Sequence, residues 1–427
     1  MNKNSNFGKF MLLWAGELIS GIGGGLTSFG LGVYIFDKTG SAASMALVTL
    51  LGFLPTLLLS VPAGVLADRY DRRLLMMIGD GCSALGIIFI LVCMINGGAT
   101  LFEICAGVFV SSVFSALLEP SFRATITDLL TEEEYSKASG LVSLAGSARY
   151  LFSPVIAGFL LTVSDIKLLL ITDICTFFLT VVSTAVVRSG IGTKVSEKKE
   201  AFMQSMKEGF VILCKKKGVI LLVVISSFIT MFMGMFQILA EPLILSFSDA
   251  KTLGIAETLC ALGMLASGLV LGIKGIKGHF VNILCVSLIS AGVFMSGFGL
   301  FENIVPICIF GFLFFASLPF ANNCLDYLVR TNIPGEAQGR VWGLTGFISQ
   351  IGYVIAYSVS GIAADALGKT GGRGVGRGSA LVVIIAGICL FVTAALLLPR
   401  KSIRELEDEK VPGICPDADR IIKQEPG

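Results

Sequence analysis

The chain predicts an all-α polytopic membrane protein of twelve transmembrane helices in two six-helix, pseudo-symmetric halves. Three observations carry that expectation. Of 427 residues, 54% are hydrophobic and 15% charged, whereas about a quarter of a soluble domain is charged. Mean hydropathy is +0.86. The apolar residues gather into twelve stretches, each near the roughly 20 residues that cross a bilayer core, and one long polar stretch divides them six and six.

In order, the first six stretches run from Phe10 to Phe36, Ser44 to Ala67, Leu74 to Ile95, Thr100 to Phe122, Ala138 to Val163 and Leu168 to Val187. The second six run from Gly218 to Phe247, Leu253 to Ile273, Phe280 to Leu300, Ile304 to Val329, Val341 to Leu367 and Ser379 to Leu398. The first is too long for the apolar core of a signal peptide and no small-residue cleavage site follows it, so it is expected to remain in the mature protein. The predicted organisation is a six-helix half over 1–187, a cytoplasmic linker over 188–217, a second six-helix half over 218–399 and a cytoplasmic tail over 400–427.

Basic residues resist translocation, so their distribution orients the spans. With the N-terminus inside, the outer loops hold only Lys38, Lys167, Lys251, Lys369, Arg373 and Arg377, Arg149 lies within a span, and every other Lys and Arg falls inside. Both termini are therefore expected in the cytoplasm. The last outer loop, Lys369 to Arg377, is basic against the trend. Its Gly368-Lys369-Thr370 is no phosphate-binding loop, because the earlier glycine of that motif would fall on Ala363 and no strand precedes it.

The linker carries Phe202, Met206, Phe210 and Leu213 at helical spacing, which predicts either a short amphipathic helix on the inner membrane surface or a disordered tether. The tail from Arg400, with Glu405, Glu407, Asp408 and Glu409 and three prolines, reads as solvated and flexible.

Between the second and third spans lies Gly64-Val65-Leu66-Ala67-Asp68-Arg69-Tyr70-Asp71-Arg72-Arg73, of the form G-x-x-x-D-R-x-x-R-R. Basic residues alone are ordinary in a short inner turn. Glycine at the helix end, an acid-base pair and two more bases three residues on are more specific. The spacing resembles the loop between helices two and three of the major facilitator superfamily. There such a motif latches the cytoplasmic side of a rocking transporter. The resemblance implies the major facilitator fold, with a latch of Gly64, Asp68, Arg69, Arg72 and Arg73 joined by Asp128 and the start of span eleven. A weak internal repeat agrees with parallel halves: Glu119-Pro120-Ser121-Phe122-Arg123 through Asp128, Thr131 and Gly140-Leu141 is echoed by Pro319-Phe320, Asp326, Arg330, Thr331 and Gly343-Leu344. The second-half counterpart of the latch, Gly272 to Gly278, lacks the acid-base pair.

Within that superfamily the chain looks most like the drug-efflux branch that includes macrolide-efflux permeases, over about 390 residues. Ser20 and the glycines after it, the Thr39-Gly40-Ser41 turn, the latch, and Pro120 with Arg123-Ala124 carry the likeness. Two departures stand out. The fourth-span arginine of many proton-coupled drug exporters should fall near Gly107 to Phe109, where no base stands. In the fifth-span antiporter motif Gly146, Pro154 and Gly158 fit as helix-packing positions, but Ser153 replaces the usual glycine.

The resemblance implies alternating access, with spans one, four, seven and ten lining a central cavity. It also implies protons as coupling ion, a lipophilic or cationic drug such as a macrolide as small-molecule substrate, and a monomer in a bacterial cytoplasmic membrane. The alternatives in transport are an endogenous amphiphile, such as a lysophospholipid or siderophore, or a nutrient. Glu17 is the first candidate for substrate or proton coupling. A lone charge inside a span costs about 2.5 to 3.5 kcal/mol on insertion scales, so it is read either as a carboxyl alternating between protonated and ionised or as a protonated bystander bonded to backbone. Glu119 is the second, unless it pairs with Arg123 or Arg72. Arg149 needs an anion; Glu17 and Glu119 are its expected partners, with backbone carbonyls near the first-span glycines as the alternative. Such a pair would be a proton-controlled switch or a structural pin. Asp80 and Asp173 are read as helix-helix hydrogen-bonding groups on peripheral spans, and Glu241-Pro242 as a break that sets a carboxylate at the cavity mouth.

Other classes find little support. The eleven cysteines include no C-x-x-C pair, and His279 is the single histidine, so neither a redox centre nor a metal site is expected. No nucleotide-binding motif, nucleic-acid partner or cofactor is expected. An integral membrane enzyme or a non-transporting sensor is the alternative of a different class.

Overall fold

The computed structural model describes residues 6–188, 217–276, 278–333, 338–372, 374–397, 404 and 406–407. Its described residues are helical with no strand, and twelve helices are long and apolar enough to cross a membrane. The linker over 188–217, with its amphipathic stretch Phe202 to Leu213, lies outside the described residues beyond Arg188 and before Lys217.

Local chemistry sets the helix ends. α1 (Phe7–Thr39) stops at Gly40, whose φ of 58° suits glycine and whose N–H bonds the Phe36 carbonyl. Ser41 then caps α2 (Ala42–Arg69) by accepting from Ser44 N. Asp71 caps α3 (Arg72–Ile95), accepting from Arg73 N at 3.2 Å. α4 (Leu101–Ser115) opens on a capping box of Thr100 and Glu103.

The fourth span is broken. It continues after Ala116 and Leu117 as α5 (Leu118–Leu129) and ends seven residues beyond the expected Phe122. Pro120 has no N–H for the Ala116 carbonyl, which accounts for the break. The polar extension is held by Asn6 N donating to Leu129 O and by Arg72. A short 3₁₀ turn, Glu132–Glu134, leads to α6 (Tyr135–Val163), which contains Pro154, and then α7 (Ile166–Arg188).

The second set is α8 (Lys217–Leu245), α9 (Ala250–Lys274), α10 (Phe280–Leu300), α11 (Ile304–Asn332), α12 (Gln338–Thr370) and α13 (Gly374–Leu397). Asp249 caps α9, and its hydrogen bonds from Thr252 hold its carboxyl below the usual carboxylate range. The basic loop expected to face outward is short, because Lys369 and Arg377 belong to α12 and α13, and Arg377 lies 3.8 Å from Glu302.

The tail departs from the solvated reading. Leu406 is buried, Asn332 Nδ2 donates to its carbonyl at 2.8 Å, and Glu407 accepts from Phe280 N and Val281 N at 2.9 and 3.3 Å. The carboxylate supplies the helix cap that His279 does not.

Packing repeats between the halves. In the first, α1 packs on α6 and α7, α3 on α4 and α7, and α2 on α4; in the second, α8 packs on α12 and α13, α10 on α11 and α13, and α9 on α11. The main seams between halves, α2 against α12 and α6 against α9, are equivalent under the same exchange. Leu58, Leu85, Phe159, Val182, Ile362 and Ile385 stay exposed on this perimeter. Such an apolar belt is stable against lipid and a liability in water.

Candidate functional site: the interface between the halves

At one end of the molecule the motif between α2 and α3 folds back on the first half. Arg72 donates through Nε to Ala67 O at 3.1 Å and through Nη1 to Ala124 O and Asp128 Oδ1, each at 2.9 Å. Its Nη2 lies 3.8 Å from Asp68, whose side chain is 67% exposed. Asp71 pairs with Arg188 at 2.6 Å, tying α3 to the end of α7. Arg73 is buried and Arg69 exposed. A methyl group at Gly64 would meet nothing within 4 Å, so no close approach accounts for that glycine. Around the start of span eleven, where a partner is expected, the side chains of 334–340 and 342–343 lie outside the described residues.

Glu119 pairs with Arg123 one turn on, at 2.9 Å, both well exposed, and not with Arg72. Glu17 keeps a buried Oε1 without a hydrogen-bond partner. Arg149 corrects the sequence expectation. It pairs with neither Glu17 nor Glu119 among the described ion pairs; its Cγ stands against Gly25 of α1 and its charge acts on Asp173. Gly25 is eight residues beyond Glu17, about 12 Å along the helix, which explains the mismatch. Beside it, Ser153 Oγ donates to Ile22 O at 3.0 Å, a bond that the usual glycine could not make.

The opposite end joins the halves. Asp365, near the end of α12, accepts from Ser41 Oγ at 2.5 Å, Ala42 N at 2.9 Å and Ala43 N at 3.3 Å. A carboxylate on the free N–H groups of a helix start is a favourable pairing of charge and dipole. One turn away, a Cβ on Gly361 would stand 2.5 Å from the Ala42 carbonyl, so glycine permits this approach. In the second seam a Cβ on Gly158 would stand 2.7 Å from the Ala250 carbonyl, Gly254 lies on the Pro154 carbonyl, and Thr258 Oγ1 donates to Leu151 O at 3.0 Å. Gly146, expected to pack, faces open space.

Toward mid-depth, Phe53 of α2 meets Tyr353 and Tyr357 of α12 with ring centroids 5.7 Å apart, and Tyr357 donates to Gln237 Oε1 at 3.0 Å. Glu241 packs against Gly32 of α1 and shares its surroundings with Glu257 of α9. Hydrogen bonds of Asp365 and Thr258 join the two halves on the Asp365 side.

Sequence reasoning passed over Asp365 and Glu257. The rule that selected Glu17, a lone acid inside an apolar stretch, would have selected both. Among the described residues no group of three side chains could hold a metal ion.

Comparison with known proteins completes the description. The profile described as Major Facilitator Superfamily matches residues 13–357. Macrolide efflux protein A of Streptococcus pyogenes is 29% identical over 382 residues, covering 86% of this chain and 92% of that protein. Multidrug efflux pump Tap of Mycolicibacterium fortuitum is 23% identical, covering 95% and 98%. The Staphyloferrin A transporter of Staphylococcus aureus is 25% identical, covering 72% and 75%. Among solved structures, a bacterial homologue of the iron transporter ferroportin in an inward-facing state aligns with a TM-score of 0.72 at 14% identity, covering 93% of this chain and all of that one. At that identity it supports the fold alone.

Proposed function

Because the chain belongs to the major facilitator superfamily, and is a multi-pass membrane transporter rather than an enzyme, we propose that it exports lipophilic or cationic drugs of the macrolide kind in exchange for protons. The observation that carries this reading is the 29% identity to Macrolide efflux protein A over 92% of that protein. The moving bodies are taken as 1–187 and 218–399, with 188–217 as tether and 400–427 as tail, in a monomer whose two termini face the cytoplasm.

In this reading the Arg72 end is cytoplasmic and the Asp365 end outward. The Asp365 clasp and the Gly158–Ala250 seam then close the outer side, and drug enters between the halves from within. Opening outward requires three hydrogen bonds at Asp365 to break, and Asp68 is left exposed to meet a partner on the second half when the inner side closes. Conformational preferences of this kind need only a few kcal/mol. Glu17 is the coupling carboxyl. Glu119 and Arg123 line the inner approach, and Arg149 steadies the first half from Gly25.

Efflux of erythromycin and ethidium from cells, with and without a protonophore, tests the reading. Protonophore-sensitive efflux that is lost in Glu17→Gln supports it. Efflux of neither compound by the wild type overturns it. A second reading, export of a siderophore, is favoured by the likeness to the Staphyloferrin A transporter. It predicts siderophore release where macrolide efflux is absent.

A further inference from the structure

In each half, the chain at or beyond the end of the last span returns to the start of that half's third span. Arg188, the last residue of α7, pairs through Nε with Asp71 Oδ2 at 2.6 Å, and Asp71 caps α3 by accepting from Arg73 N at 3.2 Å. Beyond α13, Glu407 accepts from Phe280 N and Val281 N, the first two residues of α10, at 2.9 and 3.3 Å. The signs are exchanged. α3 is preceded by its own acid and receives a base. α10 is preceded by His279, whose φ is 55° and whose side chain makes no capping bond, and it receives an acid.

The contacts beside these helix starts correspond as well. Arg72 opens α3 and bonds Asp128, near the end of α5, at 2.9 Å. Phe280 opens α10, and its ring stacks on that of Tyr327, near the end of α11, with centroids 3.6 Å apart and planes at 7°. Aligning Pro120 with Pro319 sets Tyr327 opposite Asp128. Stacked neutral rings lack the charge-assisted bonds of an arginine on a carboxylate, and in the second half the charged contact comes from the tail. Asn332, the last residue of α11, donates through Nδ2 to Leu328 O at 3.0 Å and to Leu406 O at 2.8 Å. The Leu406 side chain is buried in the same core cluster as Phe280 and Val281. Two adjacent tail residues thus hold α10 and α11 at once, through a carboxylate on free helix N–H groups and a buried apolar side chain.

We propose that Leu406 and Glu407 form a strap that completes, in the second half, the lock that Asp71 and Arg72 make in the first. The strap ties the start of α10 to the end of α11, so that these two ends travel together when the second half moves. Its docking stands independently of any substrate; only its effect on flux rests on the reading of the protein as an exporter.

Hydrogen exchange of the full chain in lipid nanodiscs, mapped by peptide mass, tests the strap in the wild type, Glu407→Ala, Asn332→Ala and the double variant. Glu407→Ala is expected to speed exchange at the start of α10 by about tenfold or more, the loss of a charge-assisted bond, and to leave the start of α3 unchanged. Asn332→Ala is expected to speed the same α10 amides, although Asn332 bonds neither of them, because it releases Leu406. The double variant should add little to either single one. Unchanged exchange at α10 in Glu407→Ala, or equal acceleration at α3, overturns the strap. Acceleration in Glu407→Ala but not in Asn332→Ala overturns the tie between α10 and α11. Erythromycin efflux at equal protein level is expected to slow severalfold in both single variants. Wild-type efflux alongside a loosened α10 overturns the strap's part in the movement. A wild type that moves no erythromycin counts against the export reading instead, while the exchange measurement still decides the strap.

Discussion

Asp365 caps the start of α2 from across the interface: its carboxylate accepts from Ser41 Oγ and from the backbone N–H groups of Ala42 and Ala43, although Ser41 and Asp365 are 324 residues apart. One side chain thereby ties one half to the other. Replacing it by alanine removes charge-assisted bonds worth about 1.5 to 3 kcal/mol each before solvent screening. Asp365→Ala is expected to lengthen the distance between spin labels at Thr39→Cys and Thr370→Cys in a background without other cysteines. An unchanged distance distribution would remove Asp365 from the closure.

Arg72 and Asp68 share a motif and differ in setting. Arg72 is largely covered, with a 2.9 Å bond to Asp128, whereas Asp68 is 67% exposed at 3.8 Å. Arg72→Ala is expected to destabilise the first half by about 1 to 3 kcal/mol, and a double-mutant cycle with Asp128→Asn to give a coupling of about 1 kcal/mol. Asp68→Asn is expected to leave thermal stability within about 0.5 kcal/mol yet lower efflux, because its partner belongs to the other conformation. Thermal unfolding of the four purified variants, beside their efflux, separates these roles.

Glycines of one sequence motif are expected to behave differently. Gly158→Ala puts a methyl 2.7 Å from the Ala250 carbonyl, whereas Gly146→Ala meets nothing within 4 Å. Overpacking of the first kind costs about 1 to 3 kcal/mol, here charged to the closed seam. The spin-label pair at positions 39 and 370 should therefore report opening in Gly158→Ala and none in Gly146→Ala. Equal behaviour would separate the α6–α9 seam from closure.

Glu407 offers a local test of the tail. Its carboxylate holds the first N–H groups of α10, and removal of a helix cap costs about 0.5 to 2 kcal/mol. Glu407→Gln is expected to lower the midpoint of thermal unfolding without abolishing efflux. No shift in that midpoint would mean the contact contributes nothing.

Hydropathy made the twelve spans legible because each is a continuous apolar run. The break after Ser115 was less so: Pro120 stood in the sequence as part of a motif, and its effect on the Ala116 carbonyl appears only once the helix is built. Pairings across the chain were the least legible. Glu407 reaches Phe280 over 127 positions and Asp365 reaches Ser41 over 324, and no local pattern names a partner so far along the chain. Asp80 and Asp173 read as peripheral hydrogen-bonding groups, yet both are buried inside the first half and Asp80 Oδ2 has no partner. Arg149 was matched to Glu17 and Glu119 by approximate depth, with the first-span glycines as the alternative, and its Cγ lies against one of them, Gly25.

The central claim is that a pH gradient drives drug through this protein. Purified protein in liposomes with an acidic lumen, given external erythromycin, measures that directly. The account predicts accumulation in the lumen above the external concentration, collapsing when a proton ionophore is added. Accumulation no higher than in protein-free liposomes, or insensitive to the ionophore, would contradict it.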